Sequence, residues 1–342
     1  MKQLRVPPSG FRKILIVKPS AFGDVIHGLP VLHALRERYP QAELHWVVAK
    51  SFVSILEDHP LIHRLWVIDK DSWKKPGRIA STCSELWKLR RGLRAEKFDL
   101  VIDLQGLFRS AMIVLFTGAR QRVGFENARE GAGFSYNYRV RTDAELHAVE
   151  KNLLVARFVG CAPAEPQFPL PPRGEAPSIV KGLGPYAVIA PSAGTLVKRW
   201  PAEYFGRLAS LLPIPSVIVT GPSDAPLGDE VARLSGSKAV SLAGKTTLKE
   251  LSALLAGARF LLTCDSGPMH LAAALGVPVF AVFGPTSPRR TGPYGKIHTI
   301  LRLSLPCSPC FTRKPCPDWR CIREITPEMV FEAIEKTVSS EQ

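Results

Sequence analysis

Proline density divides this chain. Between Cys161 and Pro185 stand Pro163, Pro166, Pro169, Pro171, Pro172 and Pro177. Each ring fixes φ and removes a backbone donor, so neither helix nor sheet runs through such a stretch. On both sides of it, short apolar runs alternate with amphipathic stretches. The reading is an N-terminal domain over residues 1–165, a stiff linker over 166–185 and a C-terminal domain over 186–342. A chain of 342 residues has room for two such domains.

The first run, Lys13-Ile-Leu-Ile-Val17, is a continuous apolar strand of the kind buried on both faces of a parallel sheet. A loop over Lys18 to Asp24 follows, then a helix from near Val25 carrying Val25, Leu29, Leu32 and Leu35 on one face. Further strands are expected at 43–49, 64–68 and 100–104. The second series has strands at 186–190, 216–220, 260–263 and 277–283, helices at 202–212 and 248–256, and a last helix at 327–338. Strictly alternating strands and helices mean an α/β fold. Two Rossmann-like, doubly wound domains facing a cleft fit better than one large sheet.

Hydrophobic content of 46% against 22% charged allows true cores. No run of 18 uncharged apolar residues occurs, and Met1-Lys2-Gln3-Leu4-Arg5 opens no signal peptide, so a cytoplasmic protein is expected. The net charge of +15 points to a polyanion: nucleic acid, an anionic membrane or a phosphorylated substrate. Without an RNA-binding or helix-turn-helix signature, nucleic acid is not expected. Cys83, Cys161 and Cys264 read as small buried apolar residues. Cys307, Cys310, Cys316 and Cys321 crowd together as a structural metal or redox cluster would, although their spacing fits no standard zinc module.

Ligands in such sheets bind at the carboxyl ends of strands, near helix N-termini. Three loops qualify. In Lys18-Pro-Ser-Ala-Phe-Gly-Asp24, Asp24 is either a helix N-cap or a general base held ionised by the helix start. In Ala190 to Pro201, small and hydroxyl residues let backbone N–H groups approach an oxyanion, and Lys198 and Arg199 add charge. In Thr263-Cys-Asp-Ser-Gly-Pro-Met-His270, Ser266 can cap, Gly267 bares the backbone and Pro268 suits a first helical turn. His270 lies one turn in, within reach of a phosphate or as an ordinary buried histidine. Asp69-Lys70-Asp71 matches an Asp-X-Asp cation pattern, but three such residues occur by chance, and neither metal nor cofactor is assigned.

Taken together, Ile16-Val-Lys-Pro-Ser-Ala-Phe-Gly-Asp24, Val197-Lys-Arg-Trp-Pro201 and Asp265-Ser-Gly-Pro-Met-His-Leu-Ala-Ala-Ala274 with Phe283-Gly-Pro-Thr286 resemble glycosyltransferase family 9, the ADP-heptose:lipopolysaccharide heptosyltransferases. The resemblance runs from Lys13 to about Val338. It implies a GT-B fold and an inverting transfer of L-glycero-D-manno-heptose from ADP-heptose to the lipopolysaccharide inner core. It makes Asp24 the catalytic base, and Lys198, Asp265, Ser266, Gly267 and His270 the donor site, with Thr246 near the adenine. Ser192 and Thr195 belong to the donor loop, and Asp224 is a weaker candidate for the ribose. Val101 to Leu107, Asn127 to Glu130 and His147 to Glu150 look like the branch acting on Kdo-lipid A, with Lys74, Lys75 and Arg129 holding acceptor acids. Cys307-Ser-Pro-Cys310 is more like the second heptosyltransferase, so that acceptor stays the alternative; a nucleotide-sugar epimerase is the remoter one. A monomer resting peripherally on the inner face of the inner membrane is the expected state.

Overall fold

The computed structural model describes residues 4, 6–70, 73, 79–162 and 164–339. It divides into two compact units, Met1–Pro172 and Arg173–Gln342, the division falling inside the proline-rich stretch. Each end of that stretch is tied to its own unit. His59 Nε2 meets Pro169 O at 2.9 Å, and Gly174 N–H donates to Lys249 O at 3.3 Å.

Unit 1 holds β1 (Lys13–Val17), β2 (Glu43–Ala49), β3 (Arg64–Ile68), β4 (Leu100–Asp103), β5 (Gln121–Phe125) and β6 (Tyr138–Val140). They form one sheet in the order β3-β2-β1-β4-β5-β6, every neighbouring pair parallel. Unit 2 holds β7 (Ala187–Ala190), β8 (Ser216–Ile218), β9 (Ala239–Ser241), β10 (Phe260–Cys264), β11 (Val279–Val282) and β12 (Thr299–Leu301). Their order, β12-β11-β10-β7-β8-β9, is the same doubly wound topology read from the other edge, and again all parallel. The central strands are almost wholly buried, as parallel strands covered on both faces are, and mostly apolar. Ile14, Leu15, Ile16 and Val17 in β1, and Val188 and Ile189 in β7, are wholly buried.

Three expectations need correcting. The helix after β1 starts three residues earlier than the apolar periodicity suggested, at Phe22, and is broken into Phe22–Ile26 and Leu29–Arg38. The break falls at Gly28, where a Cβ would lie 2.8 Å from the Trp46 ring, so this close approach of helix to sheet demands glycine. Gly23 sits inside the first of these helices. Cys83 is exposed on the long helix Ile79–Ala95; only Cys161 and Cys264 are buried as expected.

Candidate active site

In both sheets the strand order reverses next to the first strand, between β1 and β4 and between β7 and β10. The loops leaving the carboxyl ends at such a switch point diverge and leave a crevice for a ligand. Asp24, Lys198, Asp265 and Ser266 all stand on these loops or on the helices they open.

In unit 1, Lys18 is the first residue after β1 and only 7% exposed. Its ammonium donates to Leu104 O at 2.7 Å and lies 3.8 Å from Asp24 Oδ1. Its carbonyl accepts from the Trp46 indole at 3.1 Å. Asp24 is not the cap of its helix, as the bland reading had it. Ala21 takes that position, and Asp24 in the first turn reaches back to accept from the Ala21 N–H at 2.9 Å. One carboxylate oxygen is therefore oriented by the backbone and the other faces a buried cation. The side chain stays 42% exposed, so a reacting hydroxyl has access.

The loop after β4 is organised by Asp103, a wholly buried carboxyl pushed above the usual acid range by desolvation. It accepts from Tyr136 Oη at 2.7 Å and from the N–H groups of Gln105 and Gly106 at 2.8 and 3.2 Å. Gln105 Oε1 then accepts from Ser20 N–H at 3.3 Å, joining this loop to the one carrying Asp24. Arg129 N–H bonds Gly106 O at 2.9 Å, which leaves an exposed guanidinium beside the same loop. Lys74 and Lys75 lie outside the described residues. Neighbouring Trp73 packs on the core of unit 1 and bonds Glu85 at 3.4 Å.

In unit 2, Lys198 Nζ donates to Asp265 Oδ2 at 2.7 Å, and Thr286 Oγ1 donates to the same oxygen at 2.8 Å. Asp265 is 8% exposed, so it acts as a buried anchor that fixes where the lysine's charge sits. Ser266 occupies the N-cap position of the helix Gly267–Ala274 but makes no cap bond, contrary to expectation. Its hydroxyl pairs with Thr263 Oγ1 at 2.8 Å, which in turn bonds Ala190 O at 2.9 Å. The first-turn N–H groups thus have no side-chain acceptor, the condition in which a helix N-terminus binds an anion. His270 is buried on this helix, and Pro268 sits in its first turn.

Along the loop after β7, Ser192 Oγ and Thr195 Oγ1 are buried hydroxyls with no hydrogen-bond partner. Arg199 holds Asp224 through Nη2 at 2.9 and 3.1 Å, which makes Asp224 a clamp on this loop. Trp200 locks the loop's end: its indole donates to Ile325 O at 2.8 Å and its N–H meets Cys264 Sγ at 3.2 Å. Burial pushes that thiol up to about 12, so it is inert packing. Thr246 lies in the turn after β9, next to Thr247, which caps Leu248–Ala256 by a reciprocal pair with Glu250.

Two elements of the site were not among the sequence candidates. Lys18 and Thr286 both lie inside the motifs quoted above, yet a lysine closing an apolar strand and a lone threonine carry little signal alone. Their roles emerge only from the partners they find, Asp24 and Asp265.

The profile of Glycosyltransferase family 9 (heptosyltransferase) matches residues 86–318. Lipopolysaccharide heptosyltransferase 1 of Escherichia coli (strain K12) is 33% identical over 297 residues, 85% of this chain and 93% of that protein. Lipooligosaccharide heptosyltransferase 2 of Haemophilus influenzae (strain ATCC 51907 / DSM 11121 / KW20 / Rd) is 27% identical over 363 residues, covering 95% and 99%. Among solved structures, E. coli heptosyltransferase WaaC with ADP superposes with a TM-score of 0.77 at 29% identity, over 95% of this chain and 99% of that one. With its loops at two switch points and its profile match over most of the length, the chain belongs to glycosyltransferase family 9, the heptosyltransferase family.

Proposed function

We propose that this enzyme transfers L-glycero-D-manno-heptose from ADP-heptose to Kdo-lipid A, with inversion at the anomeric carbon. The observation that carries the reading is the Lys198–Asp265–Thr286 cluster beside the uncapped start of Gly267–Ala274, at the switch point of unit 2. A diphosphate supplies the anion such a site takes, and the WaaC structure named above holds ADP.

In this mechanism Asp24 takes the proton of the acceptor hydroxyl as its oxygen attacks the anomeric carbon and ADP departs. Lys198 and the helix N–H groups take up the charge developing on the leaving diphosphate. A positioned base is worth roughly 10²–10⁴-fold, and preorganised charge commonly more. Ser192 and Thr195 offer hydroxyls to the donor, Ser266, Gly267 and His270 line its diphosphate and ribose, and Thr246 stands toward the adenine. Arg129, with Lys74 and Lys75, meets acidic groups of the acceptor. Unit 1 is the acceptor domain and unit 2 the donor domain, with the proline-rich stretch as linker.

No helix among the described residues is long and apolar enough to cross a membrane. A monomer on the cytoplasmic face of the inner membrane, held there by its net charge of +15, suits a lipid-anchored acceptor. Co-sedimentation with anionic vesicles should then fall steeply between low and high salt.

The second reading keeps the chemistry and moves the acceptor one sugar along, favoured by Cys307-Ser-Pro-Cys310 and the heptosyltransferase 2 likeness. The test offers ADP-heptose with Kdo-lipid A or with its heptosylated product, and measures ADP release by the native enzyme and by Asp24→Ala. Turnover on Kdo-lipid A, lost in the variant, is expected. Turnover only on the heptosylated lipid establishes the second reading, and near-normal turnover by Asp24→Ala removes the base assignment.

A further inference from the structure

Between β12 and the turn Arg320–Arg323 the chain runs from Arg302 to Trp319 without helix or strand, and none of these residues is buried. Leu303 packs on the core of unit 2, but the rest of the segment has no buried residue to hold it. An irregular segment of this length calls for a staple or a function. Its backbone is pinned at a few points. Ser308 Oγ donates to Gly284 O at 2.6 Å, Phe311 N–H to Pro285 O at 2.8 Å, and Arg302 Nη2 to Ser308 O at 2.7 Å.

Cys307, Cys310, Cys316 and Cys321 all line one cavity, walled by Val197, Pro285, Leu305 and Trp319. Its volume of about 30 Å³ admits an ion or a water and excludes an organic ligand. All four are free thiols. They come as two close pairs, Cys-x2-Cys and Cys-x4-Cys; each pair has the spacing at which one loop supplies two ligands to a zinc, although the five residues between the pairs match no standard module. Arg313, Lys314, Arg320 and Arg323 surround them in sequence against Asp318 alone up to that point, and Asp318 is already taken by Arg320 at 2.7 and 2.8 Å. That surplus offsets the net negative charge of four thiolates around a divalent ion.

We propose that these four cysteines form a structural site for one thiophilic divalent cation, zinc by preference, which staples residues 302–321 onto unit 2. The sulfurs ring the cavity more widely than in a closed tetrahedral centre, and binding draws them in as it completes the folding of the segment. Glu43, His45 and His63 are closer together, within 4.8 Å, but are a poorer site. Lys13 holds Glu43 at 3.0 Å, and the Trp66 indole donates to His45 Nδ1, which leaves the proton on the nitrogen facing Glu43.

Val197 adjoins Lys198, and Pro285 adjoins Thr286, so the staple backs both donor-site loops. The test uses the full chain, reduced and purified without chelator. About one zinc per chain is expected, replaceable by Co²⁺ with the visible absorption of tetrahedral thiolate, and lost in the double variant Cys307→Ser/Cys310→Ser. A second measurement uses only the native sequence: a chelator should lower the melting midpoint and expose four more thiols to a thiol reagent, and added zinc should reverse both. Thiols equally reactive with and without zinc would overturn the site. So would stoichiometric zinc retained by the double variant, or disulfides within the cluster that persist without metal uptake.

Discussion

At the scale of single residues, the proposed donor loop holds a conflict between stability and use. Ser192 Oγ and Thr195 Oγ1 are buried without partners, and an unmet buried hydroxyl costs about 1–3 kcal/mol. Ser192→Ala should therefore stabilise unit 2 by up to about 1 kcal/mol in urea unfolding while weakening ADP several-fold by calorimetry. A variant that gains stability with unchanged ADP affinity would take Ser192 out of the donor site. Thr286→Val removes one of two donors to Asp265 and loosens the Lys198 ammonium. It should cost about tenfold in ADP affinity, less than Lys198→Ala, which removes the charge itself. Lys18 differs in kind because it touches Asp24 alone among the candidate catalytic groups. Lys18→Met should lower kcat by about tenfold or more and leave ADP binding within about twofold; equal losses in both would make it merely structural.

Among the elements, the strands that carry the site were the legible ones. β1, β2, β3 and the centre of unit 2 are apolar runs flanked by polar loops, and the structure places them within a residue or two of where the pattern put them. β5, β6, β9 and β12 went unread. Gln121-Arg-Val-Gly-Phe125 is polar at its start, and its Gly124 is demanded by the Tyr136 ring, 2.5 Å from where a Cβ would stand. β6, β9 and β12 span three residues each, too short for a period of two to declare itself. The start of the Asp24 helix was misplaced for a related reason. Phe22 and Gly23 carry no helical signature, and the break at Gly28 answers to Trp46, eighteen residues on in another element. Gly28→Ala forces a Cβ against that buried indole and should destabilise unit 1 by about 1–3 kcal/mol, read as a lower urea midpoint. Because Gly28 lies two residues beyond the Asp24 helix, kcat should fall with it. An unchanged midpoint would mean the helix has freedom to shift away from the sheet.

For the molecule as a whole, acid should act on the two units unequally. Burial lowers the pKa of His45 and His59 in unit 1 and of His298 in unit 2. Each is thus kept neutral in the fold, while the unfolded chain takes up protons below about 6.5. Stability contributed this way is fully present above that pH and is lost as pH falls through the lower folded values. The carboxylates Glu43 and Glu96 reinforce the trend in unit 1 at still lower pH, since the hydrogen bond from Lys13 lowers both. Two units with separate cores need not unfold together. Calorimetric scans from about pH 8 to about pH 5 should show the unit 1 transition moving down further than that of unit 2. His59→Gln keeps a donor for Pro169 O, removes one titrating group and should flatten the unit 1 slope. Parallel shifts of both transitions, or a slope unmoved by His59→Gln, would mean the acid sensitivity comes from the overall positive charge and not from these buried rings.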